Sequence, residues 1–597
     1  MSDQVRRPVT SEVVLAWPAR LRGLVRGSSV ALAVMGALVG AMAGVLVTLI
    51  AATAQFLHAF SFGIPIDVRL SAVDRIAPWR AIAAPVFGGV LLGLIEIWRR
   101  RSGARPTADP VEANALRGGR MSLRDSLLVT LQTLISNGFG ASVGLEAGYT
   151  QIGSGLASRL GLWLNLRRSD LRIMVGCGAA GAIAAAFGAP LTGAFYAFEL
   201  IIGVYSLANV AAVMAGSLAG FLTAQALIGA PYSIHAPTVG NVQPLHYVVL
   251  MILGIGACAL GIGAMRAVAL VERAFEHSRI PAWARPAIGG LGIGLLALVT
   301  PQVLAAGHGA MKLDMSLDLT ARRLMFLIVL KLAAALISLG AGFRGGLFFA
   351  SLFVGALLGK LYGLFAVQLL PNLGIDPTAC TLTGMGVFAV AVVGGPLTMS
   401  FLVLETTGDY SLTGAVLAAC VATSLAVRET FGYSFSTWRL HLRGESIRSA
   451  ADVGWMRSLT VGRLMRRDPA TLSADATVAE FRQAYPLGSR HMVILNQADG
   501  TYVGLVPTAE AHAPELDADA TTRLVRTLAR WRSAVLTPVM DVKAAMALFD
   551  RAEAETLCVV EDAKTRHVVG MLTETYASRR YAEELDKANR SLTGEDG

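Results

Sequence analysis

Two glutamates stand in a largely apolar stretch of the chain. Residues 137–205 are almost wholly apolar and rich in Gly and Ala, yet they carry Glu146 and Glu199. An ionisable side chain at bilayer depth is costly unless it faces water, a partner or an ion path, so such a residue marks a pathway or a proton relay. Gly144 and Gly148 flank Glu146, where a helix can begin, and Glu199 follows Pro190 by nine residues. The other chemistry open to two carboxylates is catalysis. No paired nucleophile, metal-ligand spacing or cofactor loop accompanies them, so the chain reads as neither an enzyme nor a metal or cofactor protein.

The elements that must position these groups repeat. Residues 395–405 read GPLTMSFLVLE, and Glu405 follows Pro396 by nine, as Glu199 follows Pro190; the two copies are about 206 residues apart. Upstream of each copy lies a Gly-Leu start, GLEAGYTQIGSGLA at 144–157 and GLFFASLFVGALLG at 346–359, which sets Glu146 opposite Phe348. Paired hydrophobic segments broken by Gly and Pro at matching places point to a transporter built from repeats, with its site where broken helices meet.

These motifs carry a resemblance. GLEAGYTQIG is similar to the Gly-Lys/Arg-Glu-Gly-Pro signature of CLC chloride channels and transporters. GGLFFASL at 345–352 resembles their Gly-x-Phe-x-Pro motif, and AAAFGAPLTGAFYAFE the helix that follows their gate. The likeness spans about residues 30–445 and continues in the tail. It implies a polytopic α-helical membrane protein with an inverted-repeat CLC-like fold, followed by an α/β pair of CBS modules in the cytoplasm.

Composition agrees with a membrane protein. The 597 residues are 54% hydrophobic and 15% charged, against about 25% charged in soluble domains, and mean hydropathy is +0.57. The formal charge of +10 is compatible with nucleic acid, but the arginines cluster beside apolar spans, which reads as membrane orientation and not as a nucleic-acid surface. Five cysteines sit singly in apolar runs, as filler rather than a disulfide framework. No cleavable signal stands out before the first apolar run near residue 29.

In order, residues 1–28 form a basic N-terminal segment (Arg6, Arg7, Arg20, Arg22, Arg26), cytoplasmic by the positive-inside rule. Residues 29–440 form the transmembrane domain, with repeats at about 79–228 and 245–430. Gly36, Gly40 and Gly44 in the first span allow close helix approach. Segments 144–160 and 172–187 are shorter than the about 20 residues a hydrocarbon core needs, so they must be buried or line a cavity. His308, in AAGHGAM, reads as a loop residue. A linker at 441–455 leads to CBS modules at 456–512 and 530–585, and a tail at 586–597. A bacterial inner membrane is the expected location, with the N-terminus and the modules cytoplasmic.

The resemblance assigns roles residue by residue. Glu146 is the gate, a carboxylate that occupies an anion position and swings away. The anion is held by helix starts, where partial positive charge and unpaired N–H groups converge, around Gly144, Leu145, Glu146 and Ala147 and around Gly346, Leu347 and Phe348. Thr107 stands where the family has its anion-facing serine, but its flanking glycines are absent, and Asp109 with Pro110 also reads as an ordinary N-cap. Ser436 falls where the family has an inner-gate tyrosine. Glu199 and Glu405 are expected to be structural carboxylates accepting from broken-helix N–H groups. Leu200 holds the place of the acid that relays protons in the exchangers. The expected function is gated passive transport of chloride or another small monovalent anion across a lipid bilayer by a homodimer; a proton-coupled antiporter on the same scaffold is the alternative. Some CBS pairs bind adenine nucleotide through an Asp three residues after a strand-end Thr; here Tyr576 follows Thr573, which argues against it.

Overall fold

The computed structural model describes residues 28–103, 107–229, 242–443 and 459–593, and separates into two compact units, Met1–Asp452 and Val453–Gly597. The five basic residues of the N-terminal segment and most of the expected linker lie outside the described residues.

The first unit is helical. Its first half holds α1 (Ser29–Phe62), α2 (Pro78–Arg101), α3 (Pro110–Arg117), α4 (Leu123–Gly138), α5 (Glu146–Trp163), α6 (Arg168–Phe187), α7 (Pro190–Tyr196) and α8 (Leu207–Ile228). Its second holds α9 (Pro244–His277), α10 (Arg285–Val299), α11 (His308–Ser316), α12 (Ala321–Gly340), α13 (Phe348–Leu369), α14 (Pro377–Val393), α15 (Pro396–Thr407) and α16 (Tyr410–Thr430), and α17 (Phe435–Leu442) follows. Among the described residues, 8 helices are long and apolar enough to cross a membrane. Several helix lengths correspond in order across the halves: α1 and α9 have 34 residues each, α3 and α11 have 8 and 9, and α8 and α16 have 22 and 21, whereas α2 and α10 differ, at 24 and 15. The first half therefore starts at Ser29 rather than near 79. Its opening span carries no motif to match, so the correspondence lies in length.

Small residues set the packing. The Gly36, Gly40, Gly44 face of α1 lies on α8, so close that a Cβ on Gly40 would stand 1.9 Å from the Gly216 carbonyl oxygen. With lipid on the outside, such close backbone contact is what holds helices together. Pro190 and Pro396 sit at the first turns of α7 and α15, where a missing N–H is harmless. After α7 the chain runs on as a π-helical turn over Ala197–Ile202. Such turns re-aim side chains inside a helix, and this one carries Glu199.

The second unit holds two three-stranded sheets of the same order. In one, β1 (Thr471–Ser473) pairs parallel with β2 (Met492–Asn496), which pairs antiparallel with β3 (Tyr502–Pro507). In the other, β4 (Val535–Leu536), β5 (Thr556–Val560) and β6 (Val568–Thr573) repeat the scheme. Helices α18 (Val478–Ala484), α19 (Val542–Ala552) and α20 (Glu574–Thr593) cover them. The expected module boundaries need correcting in space. Leu459, Val461 and Leu464 pack with Val542, Phe549 and Leu557 of the second module, whereas Val525 packs with Phe481 and Val493 of the first. The second module thus takes apolar residues from the start of the first module's stretch, the first takes Val525 from the segment between the two, and α20 continues past residue 585 to Thr593. All five cysteines are free and buried.

Candidate functional site

Two helix starts meet face to face at the centre of the first unit. The Gly144 N–H donates to the Gly346 carbonyl at 2.8 Å, and the Gly346 N–H donates to the Gly144 carbonyl at 3.0 Å. A Cβ on Gly144 would stand 1.8 Å from the Glu146 carboxylate, and one on Gly346 3.1 Å from it, so a side chain at Gly144 collides and one at Gly346 is crowded. Helices α5 and α13 begin directly after this bridge, at Glu146 and Phe348. Their first-turn N–H groups have no partner within their own helices, and both dipoles turn their positive ends to one place. The starts of α3 and α17 face the same place, a cavity of about 170 Å³.

Thr107, Glu146, Ala147, Gly346, Leu347, Phe348 and Ser436 all line this cavity. Gly144 and Leu145 do not. Two of the expected donors need correcting, because the N–H groups of Gly144 and Gly346 are consumed by their mutual bridge. Leu145 points away, into a second cavity of about 80 Å³ that also holds His58, Arg69, Tyr149 and His308. Asp109 is an N-cap: its Oδ1 accepts the Glu112 N–H at 2.7 Å, so its charge is turned back onto α3 with Pro110 in the first turn.

Glu146 is the one acidic side chain that lines both cavities. It is buried, its Oε1 accepts the Phe349 N–H at 3.3 Å, and its Oε2 has no hydrogen-bond partner among the described residues. A buried carboxylate oxygen without a donor is expensive, so this side chain is held loosely where it lies.

The two other carboxylates are held tightly, and reciprocally. Glu199 accepts from the N–H groups of Leu397 and Thr398 at 3.0 and 2.8 Å and from the Thr398 hydroxyl at 2.6 Å. Glu405 accepts from the N–H groups of Leu191 and Thr192 at 2.6 and 2.8 Å and from the Thr192 hydroxyl at 2.7 Å. Each half thus caps the other half's proline-started helix. Leu200, next to Glu199, lies against Gly394 instead.

Among the residues of the larger cavity that escape the sequence reading are Tyr196, Arg344, Arg439 and Arg443. Tyr196 stands edge-on to Phe348 with ring centres 5.9 Å apart, and its hydroxyl has Thr150 as polar neighbour. It was detectable as the only phenol in the stretch between Pro190 and Glu199. His308 is no loop residue: it opens α11 and stacks on Phe349 at 3.6 Å. Among the described residues no group of side chains could hold a metal ion.

Two pseudo-symmetric halves, clasped by exchanged carboxylates and meeting at helix starts around a buried glutamate, define a multi-pass membrane protein of the CLC class. A sequence model described as voltage gated chloride channel matches residues 87–428. The chain belongs to that family. A protein of Ralstonia nicotianae described as ClcB-like chloride channel protein is 31% identical over 370 residues, which is 60% of this chain and 84% of the relative. Among solved structures, a slow cyanobacterial Cl⁻/H⁺ antiporter aligns with a TM-score of 0.60 and 21% identity, over 69% of this chain and 97% of its own. A eukaryotic CLC transporter aligns with a TM-score of 0.59 and 19% identity, over 93% of this chain and 98% of its own, so the shared fold extends into the second unit.

Proposed function

We propose that this protein passes chloride or a similar small monovalent anion through a lipid bilayer, along a path that joins the two cavities, with Glu146 as the gate. The observation that carries the reading is the position of Glu146: its carboxylate divides the two cavities and is held by one long hydrogen bond. An anion in the larger cavity meets the backbone N–H groups of Ala147, Leu347 and Phe348 and the hydroxyls of Thr107, Tyr196 and Ser436. Many weak donors of this kind attract an anion and still release it, which conduction requires. Tyr196 supplies a hydroxyl-bearing aromatic that Ser436 lacks, from a different helix. Glu199 and Glu405 serve the scaffold.

Transport is passive in this reading. A proton crossing about 30 Å of hydrocarbon needs a chain of titratable groups or waters, and Leu200 interrupts it. In this reading the larger cavity serves the cytoplasmic side. That unit is a pair of CBS-type modules that supports a homodimer in a bacterial inner membrane, and Tyr576 argues against adenine nucleotide there.

The test is flux from sealed liposomes with internal pH recorded. Glu146→Gln should leave anion flux largely independent of pH while the wild type responds to it. Sustained uphill proton movement driven by a chloride gradient, and abolished in Glu146→Gln, would make the proton-coupled exchanger the better answer.

A further inference from the structure

Most charges around the larger cavity are neutralised locally. Asp109 is spent on the first turn of α3. Glu112 takes Arg117 at 2.7 Å and Arg443 at 3.7 Å. Arg439 has only a 3.9 Å approach to Glu272, beyond hydrogen-bond reach. Arg344 is different. Its backbone N–H donates to the Ser136 hydroxyl at 3.0 Å, but its guanidinium makes no hydrogen bond or ion pair among the described residues. The carboxylate of Glu96, the other acid in its neighbourhood, is occupied by Arg99 and Arg100 at 3.2 and 2.8 Å. Arg344 is half-buried, lines the cavity and sits two residues before Gly346. Glu146 is the remaining charged group on the lining.

A half-buried guanidinium without a counter-charge has lost much of its water and gained nothing in return, so it is completed by an anion. We propose that Arg344, with Arg439 beside it, forms a docking site at the mouth of the cavity, and that this site favours planar monovalent oxyanions over halides. The proposal rests on the anion-path reading above and names its substrate class. A guanidinium presents two parallel N–H groups in one plane, a fork that a nitrate-like or carboxylate-like anion fills with two oxygens and a spherical halide cannot. The cavity of about 170 Å³ has room for such an anion with water, since one water takes about 30 Å³. Lysine at position 344 would retain the charge and lose the fork.

The experiment is initial nitrate and chloride efflux from liposomes holding the full chain, as wild type, Arg344→Lys, Arg344→Gln and Arg439→Gln. The wild type should move nitrate ahead of chloride. Arg344→Lys should lower the nitrate-to-chloride ratio about tenfold while chloride half-saturation stays within about twofold, because charge persists and bidentate geometry does not. Arg344→Gln should raise half-saturation for both anions about tenfold, and Arg439→Gln should do so less. An unchanged ratio in Arg344→Lys, or unchanged half-saturation in Arg344→Gln, would overturn the site. Should the Arg344 variants not fold, nitrate and chloride titrated calorimetrically into the detergent-solubilised wild type decide it: nitrate binding no tighter than chloride overturns the preference. A wild type that moves neither anion would overturn the path reading itself and this site with it, an outcome distinct from flux without selectivity.

Discussion

The exchanged carboxylates allow a quantitative test of how the halves hold together. Thr192→Val removes one bond, the 2.7 Å contact between the Thr192 hydroxyl and Glu405 Oε2, and refills the volume. A hydrogen bond to a charged group contributes about 1.5–3 kcal/mol, so the variant should lose roughly 2 kcal/mol. Glu405→Gln keeps one acceptor oxygen but places an amide NH₂ against donors. It should lose about 3 kcal/mol, because three charge-assisted bonds become at most two neutral ones of about half the strength. Made together, the two changes should lose less than their sum by about 1–2 kcal/mol, because the second acts on a bond already gone. Thr398→Val with Glu199→Gln is the same experiment in the other half. The assay is unfolding of the full chain in mixed micelles with rising SDS, followed by the fluorescence of its 8 tryptophans. Losses that add to within about 0.5 kcal/mol would refute the clasp, since independent sites add that closely. Neither pair should alter the pH response of anion flux.

Other outcomes follow from features already described. Gly40→Leu should abolish monodisperse protein, because a Cβ there meets the Gly216 carbonyl at 1.9 Å, whereas Gly256→Ala, with nothing within 4 Å, should behave as wild type by size-exclusion chromatography. Burial pushes the Cys558 thiol up to about 12, above the free-thiol value of about 8.5. Maleimide at pH 8 should therefore label the folded protein slowly or not at all. The contribution of Cys558 to stability is full below about pH 8.5 and is lost as pH rises toward 12, which urea unfolding of the tail at pH 8 and pH 11 would register. Calorimetry with ATP and AMP should show no micromolar binding. Mass measurement in mild detergent should find a dimer.

The sequence made plain what depends on period and punctuation. Spans, proline-started helices and the paired Glu199 and Glu405 all follow from residue type at fixed spacing. It also indicated the helix starts at 146 and 348, since Gly before an apolar run marks them. It failed where backbone partners decide. Gly144 and Gly346 look like open donors in sequence, yet each satisfies the other. The swapped strips of the second unit, Leu459–Leu464 and Val525, were illegible because apolar pattern says that a face is buried, not against what. Tyr196 lies inside the AAAFGAPLTGAFYAFE stretch and Arg344 directly before GGLFFASL, but nothing in those motifs sets them apart; their importance comes from facing a cavity that only three dimensions define.

The reciprocal clasp also has a consequence for synthesis. The N–H groups of Leu191 and Thr192 reach their acceptor only when Glu405 has been made, 214 residues after Leu191. Until then a half-inserted chain carries bare helix ends at membrane depth, which lipid cannot solvate. Water, or the insertion machinery, must shelter them through that interval. The first half cannot settle early and wait. Both halves must close on each other late, in one step, which makes a chain broken off before residue 405 a target for degradation rather than a partial pore.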